Sequence, residues 1–485
     1  MLSAWVAVLL YFLITIVIGW YSFRKQKTQI DHWTGGRELG AMDVGFSLSA
    51  GFMSVSWSCV YAVQLFYWYG IGAFWIITFP WLISLALIYR LSTKYRGLKA
   101  FSQPEMVGDK FGSKSRKVVA LSLAIVFLVW GGAEIYVAAN LLSAELNINI
   151  TAVMILISVV IGIYLTFGGF RAVIATDKLQ YVLVAIYIVV VAILAIKGLN
   201  KTPGFLPDTF ITSTKTSVSW ISIFSPGITI ILLTLIAYLP GWIYEADLWL
   251  RVQAARDVTT AKKGVFIGAL NGLIFVGIIP MFIGVAALEL YPVTEGGYPQ
   301  IIGFEGDAIF SALIQDYAPA WLRMLLSVGL VAAAMSTIDT CVNVMGLSIA
   351  YDYFHDKKQS TNVSFQKIIT SLSVFAALLF ALFIDSLWDI FYLSSGILST
   401  AVAFPVASVF IKGVNSEGIF YSSVFGLTGT IIFYFLESRG LLIFIEPDWL
   451  IKSSVGFILW GFVSAAVGYI FGKLQSHSQN ISYSE

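Results

Sequence analysis

Ser336-Thr337-Ile338-Asp339-Thr340 lies in the middle of an apolar run that extends over about residues 321–350. Polar groups are costly at the centre of a bilayer, where a single Asp costs roughly 2.5–3.5 kcal/mol. One helical face, with the i, i+3, i+4, i+7 spacing, would carry Ala333, Ser336, Thr337 and Thr340. Such a stripe of hard oxygen atoms suits a small desolvated cation such as Na⁺. A helix seam in which Ser and Thr hydroxyls bond back to preceding carbonyls would give the same pattern.

The composition describes a membrane protein with little soluble mass. Of 485 residues, 58% are hydrophobic and 12% are charged, against about 25% charged in soluble domains. Repeated long apolar runs predict a polytopic protein of the lipid bilayer. The net charge of +2 gives no signal for nucleic acid, because the basic residues lie in short loops. Without a nucleophile–base pattern or a cofactor motif, we expect a protein that is not an enzyme and has no nucleic-acid partner.

Apolar windows predict an all-α membrane protein, with thirteen transmembrane helices in a single domain of residues 1–485. The approximate boundaries are 2–23, 43–69, 71–91, 117–143, 148–167, 174–197, 219–246, 264–290, 320–350, 365–384, 387–411, 418–436 and 450–471.

The distribution of basic residues predicts the orientation of these helices. If the N-terminus is outside, all but six of the 29 lysines and arginines lie on the inner side. Because Lys and Arg concentrate in cytoplasmic loops, this predicts a multi-pass protein of the plasma (inner) membrane with its C-terminus in the cytoplasm. A solvated inner loop is expected to hold Arg251, Arg256, Lys262 and Lys263.

Two predicted spans are interrupted by residues that break helices. The second contains Gly45 and Gly51 around a polar run, and the seventh contains Pro226-Gly227 and Pro240-Gly241. Paired broken helices at corresponding positions of inverted repeats predict a substrate and ion site at the membrane midplane. The alternative is that Gly and Pro are simply commoner in membrane helices.

The position of the two breaks suggests an internal repeat. Counted from the second span, the broken helices open two successive five-helix groups, 43–197 and 219–411. An odd number of spans in each group inverts the second group relative to the first. The segment 2–23 is then an extra first helix, and 418–471 supplies two C-terminal helices.

Five stretches, in order along the chain, carry a family resemblance. They are Gly36-Arg37-Glu38-Leu39, residues 101–105 with 110–112, residues 168–173 through 176–180, residues 250–257, and Ala334-Met335-Ser336-Thr337 with Asn343. Together they resemble the sodium/solute symporter family, which includes bacterial proline, sialic acid and galactose symporters. The resemblance implies a leucine-transporter-type fold with a 5+5 inverted repeat. It also implies Na⁺-coupled uptake of a small polar organic solute, such as an amino acid, sugar or carboxylate, by alternating access.

The resemblance implies a main Na⁺ site where the broken second span meets the ninth span. Its ligands would be the backbone carbonyls of Phe52, Val55 and Ala333 and the hydroxyls of Ser336 and Thr337. These five oxygens are neutral apart from the ion, which suits a weakly held and exchangeable cation.

Some family members bind a second Na⁺, and the resemblance carries that site to Asp177, Ser336, Asp339 and Thr340. Asp339 stands where the sialic acid type has a hydroxyl. An alternative for Asp177 is an N-cap of its own helix at the inner boundary. Ser54 stands where proline-type members have a functional aspartate, which argues against a simple proline carrier.

The solute is expected beside the broken helices. The candidate contacts are Ser58, Cys59, Tyr61, Gln64, Trp75, Tyr238, Trp242, Asn271, Ser394 and Ser395. Glu134 joins them, because a carboxylate inside an apolar helix is a functional candidate by default and no basic partner is evident at its depth. Membrane aromatics also form interfacial belts and packing contacts, which is the alternative for the tyrosines and tryptophans.

Two other functions remain open from the sequence. A proton-coupled symporter would use Glu134, Asp177 or Asp339 in place of Na⁺. A membrane sensor would bind solute without net transport; family sensors carry an appended kinase domain, whereas this sequence ends soon after its last predicted span.

Overall fold

In the part of the chain that it describes, the computed structural model is helical apart from turns and one short pair of antiparallel strands. It describes residues 2–24, 36–146, 148–201, 210–211, 217–293, 297–303, 305–354, 363–384 and 387–482. The helices of the first half are α1 (Leu2–Arg24), α2 (Ala41–Phe52), a π-helical turn Val55–Tyr61, α3 (Ala62–Tyr69), a 3₁₀ turn Gly70–Trp75, α4 (Thr78–Gly97), α5 (Gln103–Phe111), α6 (Ser113–Leu146) and α7 (Ile150–Leu199).

The second half begins after an antiparallel pair of strands, β1 (Phe210–Ile211) and β2 (Ser217–Val218), in which Phe210 pairs with Val218. Its helices are α8 (Ile228–Trp242), α9 (Ala246–Ala254), α10 (Val258–Gly272), a π turn Leu273–Ile278, α11 (Ile279–Leu290), a 3₁₀ turn Gln300–Ile302, α12 (Ile309–Tyr317), α13 (Ala320–Leu347), a π turn Ser348–Tyr353, α14 (Val363–Ala381), α15 (Leu387–Ile397), a π turn Leu398–Ala403, α16 (Phe404–Ser408), α17 (Ser416–Ser438), a 3₁₀ turn Leu441–Phe444, α18 (Asp448–Ile451) and α19 (Gly456–Ser482).

Long apolar helices dominate the structure. In the described residues ten helices are long and apolar enough to cross a membrane, and the bent pair Ala41–Phe52 and Val55–Trp75 makes eleven. Outward-facing apolar side chains are common on them; Leu13 of α1, for example, is 58% exposed. Since water penalises such surfaces, they are suited to lipid.

Thirteen spans were expected, two more than these eleven. The difference arises at α7 and at α4. α7 joins the predicted spans 148–167 and 174–197 into one helical run of 50 residues. α4 carries Arg90, Lys94 and Arg96 in its second half, and it is not among the helices that pass as a span on apolarity.

The run of α7 bends at Gly169, which has φ 55° and ψ −154°. This backbone conformation lies outside the helical region and is one that glycine adopts readily. A straight helix of this length would extend about 75 Å, more than twice the roughly 30 Å hydrocarbon core.

Glycines let α2 approach α10 closely. A Cβ built on Gly264 would lie 2.5 Å from Val44 Cγ1, and one on Gly268 would lie 2.4 Å from Leu48 Cδ2. Small residues four apart are typical of tight helix contacts in membranes. This contact fixes α2, whose C-terminal end forms part of the site described below.

The core is centred on α13. Its residues from Leu326 to Leu347 are buried almost without interruption. The hydroxyl-rich stretch 336–340 therefore faces protein, whereas α1 and α19 lie at the periphery with many exposed apolar side chains.

Candidate functional site

The site is built around a break between α2 and the π turn Val55–Tyr61, where the chain bends by 59°. Met53 leaves the helix with ψ 47°, and Ser54 is extended with ψ 164°. The hydroxyl of Ser54 accepts a hydrogen bond from Trp57 N at 2.9 Å, which starts the second half of the span. A break of this kind frees backbone carbonyls on one side and amide donors on the other.

Glu134 of α6 satisfies the freed amide donors. Its carboxylate accepts hydrogen bonds from Val55 N at 2.6 Å, from Ser56 N at 3.0 Å and from the Ser56 hydroxyl. The side chain is fully buried. A carboxylate at the positive end of a helix is electrostatically favoured. Glu134 of α6 therefore caps the helix that begins at Val55, and its charge is stabilised by backbone amides rather than by a basic side chain.

The carbonyls at the end of α2 are met by hydroxyls. Ser336 donates to Ala50 O at 2.8 Å, and Thr337 donates to Gly51 O at 2.9 Å. Ser58, from the π turn, donates to Phe52 O at 3.1 Å. Three carbonyls at the negative end of a helix thus converge with hydroxyls that can also offer lone pairs.

The expected main-site residues lie around this point. The Ser336 hydroxyl also contacts Ala333 O, at 2.9 Å, so the carbonyl of Ala333 belongs to the same group of oxygens. Val55 is buried directly after the break, with its amide bonded to Glu134. In the described residues no three His, Cys, Asp or Glu side chains are grouped as a metal site. The oxygens grouped here are backbone carbonyls and hydroxyls, which are neutral.

Arg251 of α9 enters the site beside these oxygens. Its guanidinium pairs with Asp247 at 3.1 Å and with Asp177 at 3.6 Å, and it donates to the Ser47 and Thr340 hydroxyls at 2.9 Å each. The side chain is 0% exposed. The expectation that Arg251 belongs to a solvated loop is therefore wrong, whereas Arg256 is 69% exposed as expected. This part of the sequence looks polar, but residues 246–254 form the short helix α9, and all of them are buried.

Asp177 and Asp339 lie near each other with different partners. Asp177 accepts a hydrogen bond from Ser47 and pairs with Arg251. Asp339 accepts one from Tyr164 Oη at 2.7 Å. Asp177 lies in the middle of α7, so the N-cap alternative is wrong. Each of the two carboxylates retains one buried oxygen with no hydrogen-bond partner in the described part of the chain.

A cavity opens beside the break, between α2, α6, α8 and α13. It encloses about 600 Å³ that no protein atom fills, part of it open to solvent. Its lining residues are Leu48, Gly51, Phe52, Ser54, Ser56, Trp57, Trp81, Trp130, Trp242, Glu245, Asp247, Leu248, Thr337, Phe391 and Ser395. Gly51, Phe52 and Thr337 belong both to its lining and to the oxygen cluster, so the cavity adjoins the cluster directly.

Of the expected solute contacts, Trp242 and Ser395 line this cavity. The others lie in the surrounding protein. Ser58 bonds to Phe52 O, Tyr61 and Tyr238 approach through their hydroxyls at 3.4 Å, and Cys59 is buried. Asn271 donates to Ser49, and Ser394 accepts from Trp130. Gln64 donates to Glu305 O, and Trp75 packs on Phe79.

Several cavity residues were missed by sequence reasoning. Trp57, Trp81 and Trp130 carry no signal that separates them from packing or interfacial tryptophans. Glu245 and Asp247 did carry a signal, because two acids directly after the Pro240-Gly241 break lie in an apolar span and such residues are functional candidates.

Comparisons with known proteins agree with this geometry. The family model described as "Sodium:solute symporter family" matches residues 32–426. The osmoregulated proline transporter of Bacillus subtilis (strain 168) is 24% identical over 355 residues, which cover 71% of this chain and 70% of the relative. The sodium/proline symporter of Staphylococcus aureus (strain Newman) is 22% identical, with 78% and 74% covered.

Among solved structures, a substrate-bound, outward-open Na⁺-coupled sialic acid symporter superposes with a TM-score of 0.73 at 19% identity, covering 97% of this chain and 98% of that one. A nucleobase-cation-symport-1 family transporter superposes with a TM-score of 0.52 at 12% identity, covering 92% and 94%. At these identities the likeness shows a shared transporter fold.

The broken helix, its oxygen cluster and the adjoining cavity define a membrane transporter that couples an ion to a solute. The chain belongs to the sodium:solute symporter family. It is accordingly a multi-pass membrane symporter that couples Na⁺ to a small organic solute, and its relatives are transporters rather than enzymes.

Proposed function

We propose that Na⁺ binds at the end of α2 and that the solute binds in the adjoining cavity during uptake into the cell. The observation that carries this proposal is the pair of hydrogen bonds from Ser336 and Thr337 of α13 to Ala50 O and Gly51 O of α2. The proposed ligands are the carbonyls of Phe52, Val55 and Ala333 and the two hydroxyls.

The bonds at this point explain how an ion would change the structure. Each hydroxyl now donates its hydrogen to an α2 carbonyl. A Na⁺ ion would instead take the lone pairs of these hydroxyls together with the carbonyls of Phe52, Val55 and Ala333, which ties α2 to α13 more firmly. Because Gly51, Phe52 and Thr337 also line the cavity, ion and solute would each stabilise the same arrangement. Their effects on each other's affinity must then be equal.

We also propose the finer organisation of the membrane domain. The kink of α7 at Gly169 and the length of α4, 20 residues, support dividing the chain into thirteen spans. The breaks after Phe52 and after Trp242 support a 5+5 inverted repeat of 43–197 and 219–411, flanked by 2–23 and 418–471. The distribution of basic residues supports an outside N-terminus and a cytoplasmic C-terminus in the plasma (inner) membrane, with lipid and not nucleic acid as the surrounding partner.

The second cation site that the resemblance implies is occupied by an arginine. Its residues are Asp177, Asp339, Thr340 and Ser336. The guanidinium of Arg251 already contacts Asp177 and Thr340. We propose that this fixed charge replaces a second Na⁺, so that one Na⁺ moves with each solute. Arg251 lies close to the main site, since a Cβ on Gly51 would be 3.2 Å from its Nη2.

Proton coupling is less well supported than Na⁺ coupling. The three carboxylates that it could use, Glu134, Asp177 and Asp339, are held by backbone amides, Arg251 and Tyr164 respectively. Each has a structural partner that a transported proton would have to displace.

Uptake into proteoliposomes tests the proposed function. Labelled proline, glucose, sialic acid and choline serve as probes, with an inward Na⁺ gradient at equal pH on both sides. We expect accumulation of at least one probe above its external concentration, abolished when K⁺ replaces Na⁺. Accumulation driven by a pH gradient in K⁺ would indicate proton coupling instead. Binding without accumulation would indicate a sensor.

Replacing Glu134 separates its role as a cap from a role as a proton carrier. Glu134→Gln keeps the shape but turns an amide NH₂ toward amide donors, so we expect a loss of about 1–3 kcal/mol in stability. Thermal unfolding of the purified protein measures this loss, with Glu134→Asp as the variant that keeps the charge. A fully stable Glu134→Gln protein whose uptake no longer depends on pH would contradict the capping role.

A further inference from the structure

The cavity walls are dominated by aromatic rings set at steep angles. Trp57 and Trp242 have ring centroids 5.3 Å apart at 84°, and Trp81 and Trp242 are 5.5 Å apart at 81°. Phe391 meets Trp57 at 4.9 Å and 76°. Trp130 is held in place by its hydrogen bond to Ser394. These five rings all line the cavity, so its wall is rich in indole and phenyl surface.

A carboxylate without a basic partner lines the same space. Glu245, between α8 and α9, is 9% exposed. In the described part of the chain no basic side chain lies within ion-pair distance of it. The neighbouring Asp247 pairs with Arg251 at 3.1 Å. One oxygen of Asp247 remains buried without a hydrogen-bond partner among the described residues.

Among the described residues, buried acidic side chains outnumber buried basic ones around the cavity and the break. The buried acids there are Glu134, Asp177, Asp247, Glu245 and Asp339. Arg251 is the one buried base among the described residues of this region, since buried Arg116 pairs with Asp352 elsewhere. Of the two acids that line the cavity, Asp247 pairs with Arg251, whereas Glu245 has no basic side chain within ion-pair distance among the described residues. Buried charges are favourable only when they are paired.

We infer that the solute carries a positively charged nitrogen, which sits over the indole faces with Glu245 as its counter-charge. This inference rests on the proposed function and narrows the class of its solute. Indole faces attract cations more strongly than they attract neutral groups, and Glu245 supplies the opposite charge at the same wall. A neutral sugar would leave Glu245 unpaired, and an anion would be repelled by it.

Two alternative locations for the positive nitrogen are less suitable. The oxygen cluster at the end of α2 is lined by close carbonyls and hydroxyls, which fit a small bare ion and not an alkylated nitrogen. The position between Asp177 and Asp247 is filled by Arg251. The aromatic wall beside Glu245 is the remaining place with space, an apolar surface and a negative charge.

A pair of isosteric probes tests the inference directly. Choline and 3,3-dimethyl-1-butanol have nearly the same shape and differ chiefly in charge, and tetramethylammonium is added as a smaller quaternary cation. Binding to the purified protein in Na⁺ is followed by tryptophan fluorescence and by thermal unfolding. Methylammonium and guanidinium are added as further arms, to distinguish primary ammonium, quaternary ammonium and guanidinium solutes.

We expect at least one cation to bind, and choline to bind about tenfold more tightly than its neutral isostere if choline is the preferred class. For whichever cation binds, Glu245→Gln should weaken binding about tenfold. Glu446→Gln is the matched control, because Glu446 is a buried acid outside the cavity that bonds to Trp460. It should leave the affinity unchanged.

The inference is overturned if none of the cations binds, or if the neutral isostere binds as tightly as choline while no other cation shows a dependence on Glu245. Should Glu245→Gln fail to fold, Trp242→Phe provides a second variant, and the comparison of isosteres in the unaltered protein stands by itself. Na⁺-driven uptake of glucose or sialic acid with no cation binding would overturn this inference alone. Absence of Na⁺-driven uptake of any probe would overturn the proposed function.

Discussion

Replacing Ser336 and Thr337 together with alanine will raise the Na⁺ concentration for half-maximal uptake by about 30-fold. The loss of each hydroxyl should weaken the binding free energy of Na⁺ by about 1 kcal/mol, and two such losses correspond to about 30-fold in affinity. Each loss also leaves a buried carbonyl of α2 without a donor. The affected bonds are those to Ala50 O and Gly51 O. Uptake of the accumulated probe, measured over a range of Na⁺ concentrations, gives the value.

The control for this double variant is Ser423→Ala. Ser423 is a buried hydroxyl of α17 that bonds back to Ile419 O at 3.1 Å, as Ser and Thr commonly do in membrane helices. Its loss should leave Na⁺ dependence unchanged. If the double variant has the same Na⁺ dependence as Ser423→Ala, the hydroxyls of α13 only close a helix seam and the proposed main site is wrong.

Replacing Arg251 with glutamine will destabilise the protein by about 3–5 kcal/mol, because it leaves buried carboxylates without their cation. Asp177 and Asp247 both lose an ion pair, and Ser47 and Thr340 lose a donor. The double variant Asp177→Asn with Arg251→Gln should recover part of the stability, since one of the stranded charges is removed. Thermal unfolding of purified protein in KCl measures both effects.

The same variant tests whether Arg251 replaces a second Na⁺. Without the guanidinium, Asp177, Asp339 and Thr340 form an open acidic site. We expect NaCl to raise the melting temperature of Arg251→Gln more than that of the unaltered protein, relative to KCl. Arg256→Gln, which removes an exposed arginine just beyond the end of α9, should show neither effect. An Arg251→Gln protein as stable as Arg256→Gln would contradict the role of Arg251 as a structural counter-charge.

The membrane helices could be predicted because their cause is local. Apolar runs such as 117–143 and 418–436 correspond closely to α6 and α17, since a helix in lipid needs a continuous apolar stretch. The break after Phe52 was also indicated locally, by Gly45 and Gly51 around a polar run. The predicted thirteen spans differ from the eleven that the described helices give by apolarity, because the bend at Gly169 and the polar second half of α4 depend on how neighbouring helices cover them.

The partners of the buried charges could not be predicted, because they are brought together by tertiary structure. Glu134 lies 78 and 79 residues from the amides that it caps. Arg251 begins the polar stretch 251–257, which resembles a loop in sequence, yet α9 buries it against α2 and α7. The faces of the helices that line the cavity depend on rotations about each helix axis. Sequence reasoning therefore found Trp242 and Ser395 but missed Trp57, Trp81 and Trp130.

The most direct test of the account is the number of Na⁺ ions that the purified protein binds at equilibrium with ²²Na⁺. The account predicts one ion per chain, lost in the Ser336→Ala and Thr337→Ala double variant and retained in Ser423→Ala. Undiminished ²²Na⁺ binding by the double variant would contradict an ion held between α2 and α13, and two ions per unaltered chain would contradict the role given to Arg251.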